Sequence, residues 1–270
     1  MACATRPYPW RDEVLRMVAS IRFDSVRPLV RYVDDHQAVL DAHVTALFPP
    51  DRPAPRKRTI DVAVEIDGDD GFHDEAVTRV PLNRGRGALR VELVEPRRWW
   101  PAGMGEQALY TVRLRLIDRD EPSDERTLAV GLTSVRRDAA LGPGFGRQLL
   151  VNGRICSVQD VVVVDRVDEN QILPATGESL LLIRDHFAPE VLYEAADRAG
   201  ILLVQAVPVD PQGRPGEALT REIDRLASHP CLAGYFVGHL GKLADRLAAR
   251  IGKLDPTRGV YRRFPLDHAA

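Results

Sequence analysis

Two hydrophobic patterns divide this chain, and the change from one to the other constrains its fold more than any other feature. Between Leu40 and Phe48 every second side chain is apolar, while the positions between them are mixed. Successive side chains of a β-strand point to opposite faces, so this period of two predicts a strand with one face on a core. The same period recurs in four later runs, at residues 60–66, 89–93, 110–116 and 128–132.

Clusters of turn-forming residues separate these runs. They are rich in Pro, Gly, Asn and Asp, for example at 49–51, 67–71 and 83–85. About seven short strands punctuated by turns are typical of an antiparallel sandwich. We therefore predict an immunoglobulin-like antiparallel β-sandwich over residues 29–137, without a disulfide because no cysteine lies there. A short helical arm is expected ahead of it, over residues 1–28.

Beyond a Gly/Pro-rich hinge at 142–144 the apolar runs no longer alternate. Unbroken apolar strands separated by helices are typical of parallel sheets that are buried on both faces. A complete eight-stranded βα barrel takes about 250 residues. The pattern therefore predicts a partial (β/α) TIM-type barrel of about five strands over residues 147–265. The expected strands include 161–164, 179–183, 201–207 and 232–237, and the expected helices are 190–199, 216–228 and 240–254.

Charge and composition exclude several classes of function. The 270 residues include 37 basic and 39 acidic ones, so no strong net charge favours nucleic acid or anionic lipid. No apolar stretch approaches the roughly 20 residues of a membrane helix, and the charged N-terminus does not resemble a signal peptide. We therefore expect a cytoplasmic protein with no membrane or nucleic-acid partner. Cys3, Cys156 and Cys231 are too scattered for a zinc site or a disulfide framework, so we expect free thiols, no metal and no cofactor.

Six motifs carry a resemblance to one known family, in that family's order and spacing. They are Trp99-Trp100-Pro101, Gly105–Tyr110, Leu150–Arg154, Arg184–Phe187, His229–Leu232 and Asp255–Arg258. Together they resemble glycoside hydrolase family 2, whose members include β-galactosidases, β-glucuronidases and β-mannosidases. The resemblance implies the fold predicted above, a sandwich followed by a barrel. It also implies hydrolysis of O-glycosyl bonds as the ancestral activity.

The resemblance places an apolar residue where the chemistry needs an acid. Retaining glycosidases use two carboxyl groups about 5 to 5.5 Å apart. In the family the acid/base glutamate ends the fourth barrel strand within a Gly-Asn-Glu motif, where this chain reads Gly238-His239-Leu240. Leu240 cannot exchange a proton, and the family's nucleophile lies on a seventh strand, beyond the end of this chain. We therefore expect no catalytic residue, and a pseudoenzyme that serves carbohydrate-related binding or assembly.

Several polar residues remain candidates for carbohydrate contact. Arg184 and His186 stand where the family contacts sugar hydroxyls, although they could instead be hydrogen-bonding plugs of the barrel mouth. Asp185 and Asp210 end predicted strands, where ligand sites of βα folds gather. They are the two carboxylates that an active glycosidase with displaced chemistry would use. His239 ends an apolar run without a nucleophile or carboxylate beside it, which favours a structural role over a contact.

Two further expectations concern the tryptophans and the partners. Trp99 and Trp100 could stack on a sugar, but the resemblance places them in the seam between sandwich and barrel, where at least one indole is buried. A lectin-like module that uses Arg184, His186 and a tryptophan is a further alternative. A partial barrel leaves strand edges uncovered, so we expect self-association or a protein partner over the open half barrel.

Overall fold

The computed structural model describes residues 20–53, 56–137, 148–165, 179–210, 215–216, 218–238 and 241–262. Its first sheet is antiparallel and has seven strands in the order β1-β2-β5-β4-β3-β6-β7. These strands are β1 (Arg22–Val33), β2 (Gln37–Leu47), β3 (Lys57–Gly68), β4 (His73–Asn83), β5 (Arg86–Val94), β6 (Tyr110–Asp118) and β7 (Glu121–Val130).

This antiparallel sheet is curled, so that its two edges approach each other. β4 and β5 pair only at Asn83 and Arg86, next to the turn that joins them. At the edges, the backbone N–H of Phe23 in β1 donates to Asp124 in β7 at 2.8 Å, and Arg126 donates to the carbonyl of Phe23 at 3.0 Å. The curled antiparallel sheet is consistent with the predicted sandwich, and its alternating apolar side chains enclose one core.

Two strands of this sheet, β1 and β4, were not predicted from the period-two pattern. β1 begins at Arg22, so it starts within the stretch predicted as a helical arm; residues 1–19 lie outside the described residues. Two register shifts, between Phe23 and Ser25 and between Val30 and Tyr32, interrupt its alternation. β4 was missed because its first half is mostly exposed on both faces and has no apolar stripe. The sheet therefore begins earlier than residue 29.

A second sheet has five parallel strands in chain order. They are β11 (Asp160–Val164), β12 (Ser179–Ile183), β13 (Leu203–Ala206), β14 (Leu232–Phe236) and β15 (Gly259–Tyr261). Three helices follow β12, β13 and β14: α1 (Glu190–Ala199), α2 (Leu219–Leu226) and α3 (Lys242–Leu254). α1 ends as predicted at Gly200, which is left-handed with φ 70°. A small sheet contains β8 (Val135–Arg137), β9 (Gln148–Val151) and β10 (Arg154–Ser157), in the order β10-β9-β8.

The seam between the two sheets is built around the tryptophan pair. Trp99 is fully buried and Trp100 is 8% exposed, as expected, and both belong to the core under the parallel sheet. The indole N–H of Trp99 donates to the carbonyl of Asp197 in α1 at 2.8 Å, and Asn152 donates to the Trp99 carbonyl at 2.9 Å. The same buried residues therefore tie the antiparallel sheet to the helices. Among the described helices, none has the length and apolarity that crossing a membrane requires.

Candidate functional site

The carboxyl edge of the parallel sheet, where β11 to β15 end, gathers a group of polar side chains. β11 and β12 pair with Val164 opposite Ile183, so the residues that follow each strand lie side by side. Arg184 donates from Nε and Nη2 to the two carboxylate oxygens of Asp165, at 2.7 and 3.0 Å. This two-pronged pair fixes the guanidinium in one orientation, although both side chains are about half exposed.

His186 lies beside this pair with one ring nitrogen occupied. Its Nδ1 is 2.8 Å from the carbonyl oxygen of Arg184, which can only accept, so Nδ1 carries the proton. Nε2 is buried and has no hydrogen-bond partner among the described residues. In the neutral ring Nε2 offers a lone pair, and a hydroxyl group is a suitable donor to it.

A buried amide and a buried phenol hold the His186 loop in place. Gln205, in β13, is fully buried and donates from Nε2 to the carbonyls of His186 and Ala206, at 2.7 and 2.6 Å. Its Oε1 accepts from the hydroxyl of Tyr193 at 2.5 Å. The sequence reasoning missed both Gln205 and Asp165. The available signals were a glutamine inside an apolar run and a carboxylate directly after a strand.

The two aspartates proposed as a displaced carboxylate pair have different surroundings. Asp185 is exposed, has a left-handed backbone with φ 67°, and lies 3.7 Å from Nε of Arg184. Aspartate tolerates this conformation in turns, which accounts for its presence there. Asp210 is half-buried and follows the isolated bridge between Val209 and Pro215. Their pairing stays a prediction. His239 and Leu240 lie outside the described residues.

A second polar cluster was not identified from the sequence. It consists of Glu190 and Asp197 of α1 with His229 and Cys231, and we call it the cluster behind α1. His229 is 3% exposed; its Nδ1 is 2.6 Å from Asp197, and its Nε2 is 3.1 Å from Glu190. The other oxygen of Asp197 accepts from the backbone N–H of Cys231 at 3.0 Å. Burial alone lowers the pKa of His229, but the hydrogen bonds to Asp197 and Glu190 outweigh it and raise the pKa to about 9.

This cluster has the residue types of a metal site, but hydrogen bonding accounts for it. Ligand atoms of Asp197, His229 and Cys231 lie within 4.8 Å of one another. His229 and Asp197 are bonded directly, and the Cys231 thiol is 3.6 Å from the Tyr193 carbonyl. Burial raises the pKa of the Cys231 thiol well above its ordinary value, so the thiolate that a metal prefers is disfavoured. We therefore assign this cluster a role in stabilising the fold.

Comparison with known proteins identifies the ancestry of the first sheet. The model of the glycosyl hydrolases family 2 matches residues 24–132, from β1 to just beyond β7. This part of the chain is therefore similar to glycoside hydrolase family 2. An exo-β-D-glucosaminidase of Streptomyces avermitilis is 26% identical over 179 residues, and one of Amycolatopsis orientalis is 25% identical over 177. The matched segments cover 55% of this chain in both cases, but only 19% and 17% of those relatives.

Solved structures of family 2 proteins have a similar fold. A family 2 member from Bacteroides cellulosilyticus matches 89% of this chain with a TM-score of 0.67 and 15% identity. A Bifidobacterium dentium β-glucuronidase in complex with coumarin-3-O-glucuronide matches 90% with a TM-score of 0.67 and 16% identity. This chain covers 36% and 44% of those two chains. At such identities the likeness concerns the fold alone.

Proposed function

We propose that this chain is a non-catalytic family 2 protein that binds carbohydrate at the carboxyl edge of its parallel sheet. One observation carries the proposal: the position that the resemblance assigns to the proton donor is Leu240. A general acid must hold a dissociable proton in surroundings that keep it protonated. Leucine has none, and the exposed Asp185 is engaged by Arg184, whose Nε lies 3.7 Å away.

The polar edge around Arg184 supports the binding part of the proposal. Arg184 and Asp165 together present fixed donors and acceptors, and both side chains are about half exposed. Sugar hydroxyls both donate and accept, so such an edge suits them. The relatives are named for glucosaminide and glucuronide hydrolysis, and we propose a related amino sugar or uronic acid glycan as the ligand.

The parallel sheet supports a proposal about assembly. We propose that its five strands in chain order are a partial (β/α) barrel of the TIM type. Among the described residues, β11 and β15 are then its two edge strands. Open edges present unpaired backbone groups to other chains. We therefore expect a second copy or a protein partner to cover them, and multi-angle light scattering should find more than a monomer in solution.

The experiment that tests the proposal separates binding from turnover. Purified protein is incubated with a panel of nitrophenyl glycosides that includes the β-D-glucosaminide and the β-D-glucuronide. It is also titrated with the matching oligosaccharides by calorimetry. We expect no release of nitrophenol, and saturable binding that the Arg184→Gln variant weakens. Arg198→Gln is the matched control, because Arg198 is an exposed residue of α1 that pairs with Glu194.

Two results would contradict the proposal in different ways. Turnover that is lost in both Asp185→Asn and Asp210→Asn would establish an active hydrolase with displaced carboxylates. Absence of both turnover and binding would leave Arg184 and His186 as plugs of the sheet edge. Tryptophan emission is a poor reporter here because Trp99 and Trp100 are buried in the seam.

A further inference from the structure

A cavity of about 410 Å³ lies between the antiparallel sheet and the amino edge of the parallel sheet, where its strands begin. β1, β8 and the turn before β15 supply its walls. Cavities of roughly 300 to 1,000 Å³ are typical of small-molecule sites. This one is on the opposite side of the sheet from Arg184 and does not depend on the proposed function. Its lining includes three arginines, Arg31, Arg136 and Arg258, with Ser134 and Thr257.

Arg258 is the unusual member of this set. Its side chain is buried, with 7% exposed, and Nη2 donates a long hydrogen bond of 3.4 Å to the His229 carbonyl. Nε and Nη1 are buried and have no hydrogen-bond partner within the described ranges. No described carboxylate lies within 4 Å of this guanidinium. A buried charge without a partner is costly, so a bound anion would be strongly favoured.

Two described carboxylates close to the cavity are engaged elsewhere. Both oxygens of the buried Asp255 accept hydrogen bonds, from Thr257 at 2.6 Å and from the Tyr235 hydroxyl at 3.2 Å. Asp41 lies 3.6 Å from Arg31 but makes a closer, two-pronged pair with Arg90, at 2.8 and 3.1 Å. Arg136 is exposed at the mouth. Among the described residues, the cavity therefore keeps an excess of positive charge.

We propose that this cavity binds a small oxyanion, the phosphate or carboxylate group of a small molecule. Arg258 would attract the oxyanion through its guanidinium charge, which no described carboxylate neutralises, because an arginine charge pairs well with phosphate and carboxylate groups. Arg136 and Arg31 would add charge at the mouth. Since the walls come from both sheets, a bound anion would also stabilise their packing against each other.

The test uses inorganic phosphate and acetate as probes of the two oxyanion classes. Thermal unfolding of the full chain is followed while each salt replaces sodium chloride at constant ionic strength. We expect a saturable rise of the Tm with phosphate, with acetate or with both, and none with chloride alone. Whichever probe binds identifies the class. Arg258→Gln should weaken that binding by about tenfold or more, as removal of charge-assisted hydrogen bonds does.

Two further variants keep the proposal falsifiable. Arg136→Glu should fold normally because Arg136 is exposed, and its reversed charge should abolish saturation even if Arg258→Gln does not fold. Arg262→Gln is the matched control, because Arg262 lies four residues further on, pairs with Asp245 and is outside the cavity. The proposal is overturned if neither salt saturates, or if Arg136→Glu binds as tightly as Arg262→Gln.

Discussion

The carboxyl edge of the parallel sheet and the cluster behind α1 each contain a short ion pair, yet their surroundings are opposite. Arg184 and Asp165 are 49% and 54% exposed, whereas His229 and Asp197 are 3% and 2% exposed. Water screens the first pair, which contributes little to stability. The second pair cannot lose one partner without leaving a charge or polar group buried. The difference indicates that the cluster holds the fold, while the edge is free to bind.

Removal of the Asp197 carboxylate should give the largest effect of the changes considered. Asp197→Ala deprives His229 and the Cys231 N–H of their partner. Breaking a buried pair in this way costs about 3 to 5 kcal/mol of unfolding free energy. Urea denaturation followed by circular dichroism measures it.

The control for this change is on the same helix. Glu194→Ala breaks the exposed pair of Glu194 with Arg198, at 3.5 Å, and should cost about 0.5 kcal/mol or less. Equal losses in Asp197→Ala and Glu194→Ala would remove the distinction between buried and exposed pairs.

The pH dependence of stability should reveal the buried imidazolium. The pKa of His229 is raised from 6.5 to about 9, so its contribution is complete below pH 6.5 and is lost as the pH rises through 9. The urea midpoint should therefore fall between these two values, by an amount equivalent to about 3 kcal/mol. His229→Gln should flatten this part of the profile. A wild-type midpoint that is constant from pH 6.5 to 9 would show that His229 is neutral when folded.

A methyl group added in the seam, at Gly131, should lower the free energy of unfolding by an intermediate amount. A Cβ at Gly131 would lie 2.6 Å from Cβ of Pro230, so Gly131→Ala forces the two sheets apart. Such overpacking costs about 1 to 3 kcal/mol. Gly252→Ala is the control, because nothing lies within 4 Å of the added Cβ and an alanine in α3 should stabilise by about 0.5 to 1 kcal/mol. A stabilised Gly131→Ala protein would mean that the seam is looser than described.

A change at the carboxyl edge should have only a small effect on stability. Arg184→Gln breaks the exposed pair with Asp165 and should lower the unfolding free energy by about 1 kcal/mol or less. The same variant should weaken glycan binding in the calorimetric titration. A stability loss as large as that of Asp197→Ala would instead identify Arg184 as a structural plug of the sheet edge.

Regular periodicity was predictable, and irregular or exposed strands were not. β2 alternates strictly, so its buried face was evident from the sequence. In β1 the register shifts break the alternation, and in β4 the exposed first half gives no hydrophobic signal. α1 was bounded correctly because Gly200 supplies a left-handed stop, a local property that needs no tertiary contact.

The residues of the candidate sites were predictable only in part, because strand register decides which of them meet. Arg184, Asp185 and His186 adjoin the end of β12, and the position of a strand end can be inferred locally. Their partners cannot, since Asp165 and Gln205 come from neighbouring strands whose register decides the contact. The oxyanion cavity has walls from residues 30–31, 134–136 and 256–259, which are brought together only by packing of the two sheets.

The sequence by itself determined the two hydrophobic periods, the helix stop at Gly200 and the leucine at position 240, because each depends on residues close together in the chain. Tertiary structure alone decided which charges are buried. The neighbours of His229 and Arg258 in sequence place them in two motifs, but they do not show that the two side chains are buried. Their surroundings are set by distant segments that pack around them, and the cost of a buried charge depends on those surroundings.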